Sequence, residues 1–210
     1  MKTIFVTGGA GYIGSHCVIS LAENGYKPII LDNFSNSHQS VIKKLEIITN
    51  KKITFYKIDI KDKKKLRLIF KKHSCYAVIH CAGFKAVKES IEKPILYFDN
   101  NIVSTLSLLE CMQENKVFKL IFSSSATVYD DTQKLPLTET SKIGNTKNPY
   151  GTSKYIIEKI LMDLAKFDNR WDLRIARYFN PIGKICVDSE FADELIKQKA
   201  KDRISKMVTD

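Results

Sequence analysis

The 210 residues carry 34 Lys and Arg against 23 Asp and Glu, a formal net charge of +11, with 44% of residues hydrophobic. That length buries one α/β core and is short for two; no run approaches a membrane span, and the apolar stretch after Lys2 is too brief for a secretory signal. Much of the positive charge lies in residues 51–72, but its lysines fall between Leu66, Ile69 and Phe70 at helical spacing, which marks the wet face of a surface helix and argues against a nucleic-acid module.

In chain order, an apolar run over residues 3–6 predicts a first strand. The stretch Thr7-Gly8-Gly9-Ala10-Gly11-Tyr12-Ile13-Gly14 then predicts a tight turn into an amphipathic helix over 12–24. Glycines at 8, 11 and 14 allow, in turn, the sharp turn, close backbone approach to a pyrophosphate, and close helix–strand packing. The helix start offers amide donors and a positive dipole end to phosphate. A second strand, Ile29-Ile30-Leu31, ends in Asp32. A carboxylate there bonds a ribose diol and repels a 2′-phosphate, so NAD is expected over NADP.

A polar loop over 33–37 leads to a helical pattern through Val41, Leu45 and Ile48, then a third strand over 53–58 ending at Asp59-Ile60. Asp59 suits the exocyclic amine of adenine. The basic helix over 62–72 crosses to a fourth strand at 76–80, followed by Cys81-Ala82-Gly83-Phe84-Lys85, small residues where backbone passes close under a cofactor. His80, at the end of an apolar strand, reads as a buried, satisfied histidine. After a polar segment at 88–93, Pro94 opens a helix over 95–114 with an apolar stripe of Leu96, Ile102, Leu106 and Leu109. Asn100 and Asn101 interrupt it, which points to a ligand or a kink.

A fifth strand over 118–122 runs into Ser123-Ser124-Ser125, and a loop over 130–149 precedes Tyr150-Gly151-Thr152-Ser153-Lys154, which opens a helix to 167. Tyr150 and Lys154 share one helix face. An ammonium beside a phenol favours phenolate, making proton abstraction from a sugar hydroxyl feasible, with Ser125 bonding the same oxygen. A sixth strand is expected over 171–178. Alternating strands and helices imply a Rossmann-like, doubly wound parallel sheet, with the site at the carboxyl ends of its strands. Five dispersed cysteines, 17, 75, 81, 111 and 186, read as reduced thiols of a cytoplasmic protein, and neither they nor the four histidines have metal-ligand spacing.

Taken together, the glycine turn, Ser125, Tyr150 and Lys154 resemble the extended short-chain dehydrogenase/reductase family over about residues 2–183. The segments at 7–16, 31–37, 83–101, 122–129 and 178–183 are most similar to its nucleotide-sugar epimerases. The resemblance implies that Tyr12, Ile13, Asp32, Asn33, Phe34, Ser35, Asn36, Ser37, Asp59, Ile60, Cys81, Ala82, Gly83, Phe84, Lys85, Asn100, Lys154 and Phe179 line an NAD site. It implies Tyr150 as base with Ser125 as partner, and Lys85, Ser125, Tyr150 and Asn180 against UDP-galactose or UDP-glucose. A dehydratase of the same family would carry an acidic pair after Ser125, where Ala126-Thr127 stands. Asp130 and Lys88 replace usual glycines and are expected to loosen their loops.

After Gly183 the resemblance ends, and 184–210 is expected to be a divergent helical tail where relatives continue into a substrate-binding domain. Phe191, Leu195, Ile196, Ile204 and Met207 give that tail a weak apolar face that could cover the edge of the sixth strand. Two function classes follow: a nucleotide-sugar epimerase that pairs through helices 95–114 and 150–167, or a catalytically silent NAD-holding module.

Overall fold

The computed structural model describes residues 1–132 and 134–181. The expected tail at 184–210 lies outside them. Strands β1 (Thr3–Thr7), β2 (Lys27–Asp32), β3 (Thr54–Lys57), β4 (Cys75–His80), β5 (Lys119–Ser125) and β6 (Asp172–Tyr178) form one six-stranded sheet in the order β3-β2-β1-β4-β5-β6. Every pairing is parallel. Chain order reverses between β1 and β4, so the crevice beyond their carboxyl ends is where such a sheet takes a ligand.

Helices α1 (Tyr12–Glu23) and α2 (Ser40–Thr49) pack on one face around Ile4, Val6, Leu21, Ile30 and Leu45. Helices α3 (Lys63–Lys72), α6 (Ser104–Glu114) and α7 (Pro149–Phe167) cover the other around Phe5, Leu66, Leu108, Phe122 and Leu161. Sheet and helices thus make two dry layers with the central strands buried on both sides and the edge strands β3 and β6 partly open. The α3 stripe behaves as its spacing predicts. Leu66, Ile69 and Phe70 are buried, while Lys63 and Arg67 reach across to Glu110 and Glu114 on α6. Asp62 caps this helix by accepting the Lys65 amide at 3.1 Å.

Three expectations need correction. Residues 88–93, read as a polar segment, are largely the short helix α4 (Val87–Glu92). The helix expected over 95–114 is three pieces: α5 (Pro94–Phe98), a π-helical turn (Asp99–Val103) and α6. That wide turn lands on Asn100 and Asn101, and its extra residue shifts the helix register. The inner face is Tyr97 before the turn and Asn101, Thr105, Leu108 and Met112 within and after it, while the expected core residues Leu96 and Leu106 are 41% and 45% exposed. Asp130, expected to loosen its loop, does the opposite. It accepts the amide and hydroxyl of Thr132 at 3.0 and 2.7 Å and pairs with Lys142 at 3.2 Å. Those bonds hold its carboxyl well below the usual range.

Candidate active site

The glycine turn is built as its spacing demands. Gly8 sits at φ +65°, and a Cβ there would meet the Ala82 nitrogen at 2.7 Å. A Cβ on Gly14 would lie 2.2 Å from the Gly8 carbonyl oxygen, so any side chain would push α1 off the turn. Gly11, the residue before α1, brings no capping side chain to the first-turn amides. Asp32 accepts the Ala10 amide at 2.9 Å, the Phe34 amide at 2.8 Å and the Ser37 hydroxyl at 3.1 Å. It therefore ties the glycine loop to the end of β2 while still lining the crevice.

That crevice is a cavity of about 380 Å³ running from the α1 start past Asp32 to Asp59 and Ile60, and along 81–85. It takes in every residue of the expected cofactor set except Phe34, Lys154 and Phe179, and adds Leu31, Ile58 and Ser104. Phe34 turns its ring edge-on to Phe55, 6.1 Å between centroids. Phe179 stacks on Tyr129 at 6.2 Å, and it and Asn180 are exposed. Uncapped helix amides for an anion, a carboxylate for a diol, and Leu31, Ile58 and Ile60 for a flat base make a donor set that fits a dinucleotide.

Asn100 lines the cavity, whereas Asn101 works behind its wall. Its side chain accepts the Phe84 amide at 2.8 Å, and donates to the Phe84 carbonyl at 3.1 Å and the Ser153 hydroxyl at 3.0 Å. The π turn thus fastens the 81–85 loop to α7. His80 continues the network, bonded to Thr7 at 2.7 Å and Thr105 at 2.9 Å, and burial pushes its pKa down to about 3. The satisfied buried histidine expected from sequence is what the structure contains.

At the ends of β5 and α7, Ser125, Tyr150 and Lys154 are each less than a tenth exposed. Asn148 caps α7 by accepting the Gly151 amide at 2.8 Å, with Pro149 in the first turn. Gly151 has no room for a Cβ, which would lie 2.8 Å from the Thr127 carbonyl oxygen, so the turn at 126–128 seats directly on the helix. The amide and hydroxyl of Thr127 donate to Ser125 Oγ at 3.2 and 3.0 Å. With its acceptor positions filled, Ser125 has its own proton left to donate. Burial raises the Tyr150 pKa, and hydrogen bonding from Ser125 pulls it back.

Lys154 Nζ donates to the Ser123 carbonyl at 2.8 Å and lies 4.6 Å from the Phe122 ring centre. Burial lowers its pKa to about 8, opposed by Cys81 and Glu158. The ammonium faces the cavity wall: a Cβ on Gly83 would be 3.6 Å from Nζ.

Sequence reasoning missed what holds α7 in place. Glu158, wholly buried, receives the Arg177 guanidinium from β6 at 2.9–3.2 Å and the Ser124 hydroxyl at 2.5 Å. Arg177 also lies 4.8 Å over the Tyr129 ring. Glu158 one turn beyond Lys154 was a visible signal, but its partner is a strand residue that no local spacing identifies.

A parallel sheet with a glycine turn at its crossover, an acid ending β2, and a buried serine, tyrosine and lysine beside the crevice define a Rossmann fold shaped for a dinucleotide. Residues 4–208 match the NAD dependent epimerase/dehydratase family, and the chain belongs to it. It is 51% identical over 183 residues to a UDP-glucose 4-epimerase of Neisseria meningitidis serogroup C, covering 87% of this chain and 54% of that protein. A Mus musculus UDP-glucose 4-epimerase is 47% identical over 189 residues, with the same coverage of 87% and 54%. Among solved structures, the Bifidobacterium longum UDP-glucose 4-epimerase in complex with NAD+ and UDP superposes with a TM-score of 0.85 at 47% identity, over 87% of this chain and 54% of that one. The chain spans about half the length of the curated relatives it matches.

Proposed function

We propose that this chain performs the NAD-dependent chemistry of a UDP-glucose 4-epimerase, interconverting UDP-galactose and UDP-glucose in cytoplasmic galactose metabolism. The observation that carries the reading is the burial of Ser125, Tyr150 and Lys154 together beside a dinucleotide-shaped crevice, with Lys154 against its wall. NAD held in this crevice would supply a reversible hydride acceptor for the sugar C4.

The chain's own residues do the rest. The α1 amides and the glycine turn bind the diphosphate, Asp32 takes the ribose diol, and the residues at 81–85 form the floor. Tyr150, as a phenolate to which Ser125 donates, accepts the proton of the sugar hydroxyl to become the phenol, and returns that proton when the sugar is reduced again. Lys154 supplies a fixed positive charge at the wall. Burial excludes water from the proton path. Lys85, Ser125, Tyr150 and Asn180 are assigned to the sugar nucleotide, and residues 1–183 to the NAD-binding domain. Exposed Ile95, Leu96, Val103 and Leu106 with Phe167 on α7 support pairing of two copies through these helices.

Conversion of UDP-galactose to UDP-glucose, with Tyr150→Phe as control, tests the reading. Loss of the phenol should cost about 10²–10⁴-fold in rate. A chain that binds NAD but converts neither sugar nucleotide would leave the NAD-holding module as the better description.

A further inference from the structure

His80 joins the crevice floor to the π turn by bonds whose direction the backbone dictates. Thr7, His80, Thr105 and Asn101 are each at most 1% exposed. The Ala82 amide donates to Thr7 Oγ1 at 3.3 Å, and Thr7 Oγ1 lies 2.7 Å from His80 Nδ1. On the other side of the ring, Nε2 lies 2.9 Å from Thr105 Oγ1, which donates to the Asn101 carbonyl at 2.7 Å. An amide N–H only donates and a carbonyl only accepts. Thr105 spends its one proton on Asn101, so it can bond Nε2 only by accepting. The ring proton is therefore on Nε2. Nδ1 is left as an acceptor for the Thr7 hydroxyl, which in turn accepts from Ala82. All four bonds point the same way, from Ala82 to Asn101, and bonds so ordered polarise one another.

The relay ends on the residue that holds the far side of the same floor. Asn101 accepts the Phe84 amide at 2.8 Å and donates to the Phe84 carbonyl at 3.1 Å. Ala82 and Phe84 are thus tied to one asparagine, the first through its main chain and the second through its side chain. Gly83 between them lines the crevice. Neither tie has slack: a Cβ on Gly8 would lie 2.7 Å from the Ala82 nitrogen, and one on Gly83 3.2 Å from Asn101 Oδ1. The Asn101 amide also donates to Ser153 Oγ at 3.0 Å, and Ser153 donates to the Tyr150 carbonyl at 2.7 Å. Floor and first turn of α7 therefore share an anchor.

We propose that His80, held as the Nε2–H tautomer, is a positioning residue that sets the height of the 82–84 floor beneath the dinucleotide and its register with Tyr150. The ring acts through Thr7, Thr105 and Asn101, and so bears on the distance between cofactor and proton acceptor, on which transfer depends steeply. A ring that merely filled the core would need neither a fixed tautomer nor two hydroxyls.

The effect on NAD rests on the cofactor reading above, but the proton arrangement does not, and the experiment separates them. Nitrogen-15 NMR of the histidine rings in the full chain, without nucleotide, should show His80 in the Nε2–H form near neutral pH. An Nδ1–H or doubly protonated ring would overturn the relay. Thr105→Val keeps the side-chain shape and removes the hydroxyl, and Thr105→Ser keeps the hydroxyl. Thr105→Val should speed hydrogen exchange at the Ala82 and Phe84 amides at least tenfold relative to the Cys81 amide, which bonds the Thr7 carbonyl instead. It should weaken NAD binding at least tenfold, and Thr105→Ser should restore both. Should Thr105→Val fail to fold, Thr7→Val and Thr7→Ser cut and restore the other end. Equal behaviour of the valine and serine variants, or loosened amides with NAD affinity unchanged, would overturn the positioning role. An unsubstituted chain that binds no NAD would overturn the cofactor reading, with the ring tautomer and amide exchange still deciding the relay.

Discussion

On the β3-β2-β1 side of the sheet the functional groups are mostly backbone. Glycine turn, helix amides and a loop-tying carboxylate border an open crevice. On the β5-β6 side they are side chains, and they are buried: Ser125, Tyr150, Lys154, and behind them the Glu158–Arg177 pair. The first side needs shape, because phosphate and ribose bring their own charge. The second must hold charges away from water at fixed positions, because proton transfer depends on distance and on an unscreened field. A fold can thus keep its binding half cheap in stability while its reactive half carries the strain of desolvated ions.

The sharpest way to break that contrast is Glu158→Ala, which leaves the Arg177 guanidinium buried and unpaired. A loss of about 3–5 kcal/mol is expected in denaturant unfolding. A loss under 1 kcal/mol would mean that the ion pair does not set the position of α7. His80 comes next. Its folded pKa of about 3 lies below the ordinary 6.5, so below pH 6.5 the unfolded chain takes a proton the folded chain refuses. Stability should fall with acid by about 1.4 kcal/mol per pH unit for that proton, and His80→Gln should flatten the slope between pH 6 and pH 4.

Lys154→Met sharpens the comparison from the other direction. With a folded pKa of about 8 against an ordinary 10.5, the buried ammonium is a cost at neutral pH, relieved as pH rises from 8 to 10.5. The variant should therefore unfold later at pH 7, by on the order of 2–3 kcal/mol, while losing sugar-nucleotide turnover. The wild type should close that gap toward pH 10.5. The smallest effect belongs to the exposed network: Arg67→Ala, despite contacts to Glu110 and Glu114, should cost at most about 1 kcal/mol, and high salt should erase it.

The same contrast decides what the sequence disclosed. Glycine at 8, 11 and 14, with Asp32 ending β2, is a local pattern in which backbone geometry forces the residue, so it reads directly. Tyr150 and Lys154 were legible because one helical turn separates them. The meeting of Ser125 and Tyr150 required the fold, and so did the role of Thr127, whose amide and hydroxyl orient the serine. Arg177 is a strand residue that meets Glu158 only because β6 lies beside β5. The π turn was visible as two asparagines, but its effect on Leu106 was not, because an inserted residue rotates everything after it. For Lys154 the spacing put it on the face of Tyr150, but its hydrogen-bond partner, the main-chain carbonyl of Ser123, required the fold.

The most direct test is optical. When UDP-glucose is added to the NAD-loaded chain, the near-ultraviolet absorbance of reduced nicotinamide should appear on the protein, or the sugar should interconvert, and Tyr150→Phe should abolish both while still binding NAD. Identical behaviour of the two proteins would contradict the assignment of proton transfer to Tyr150.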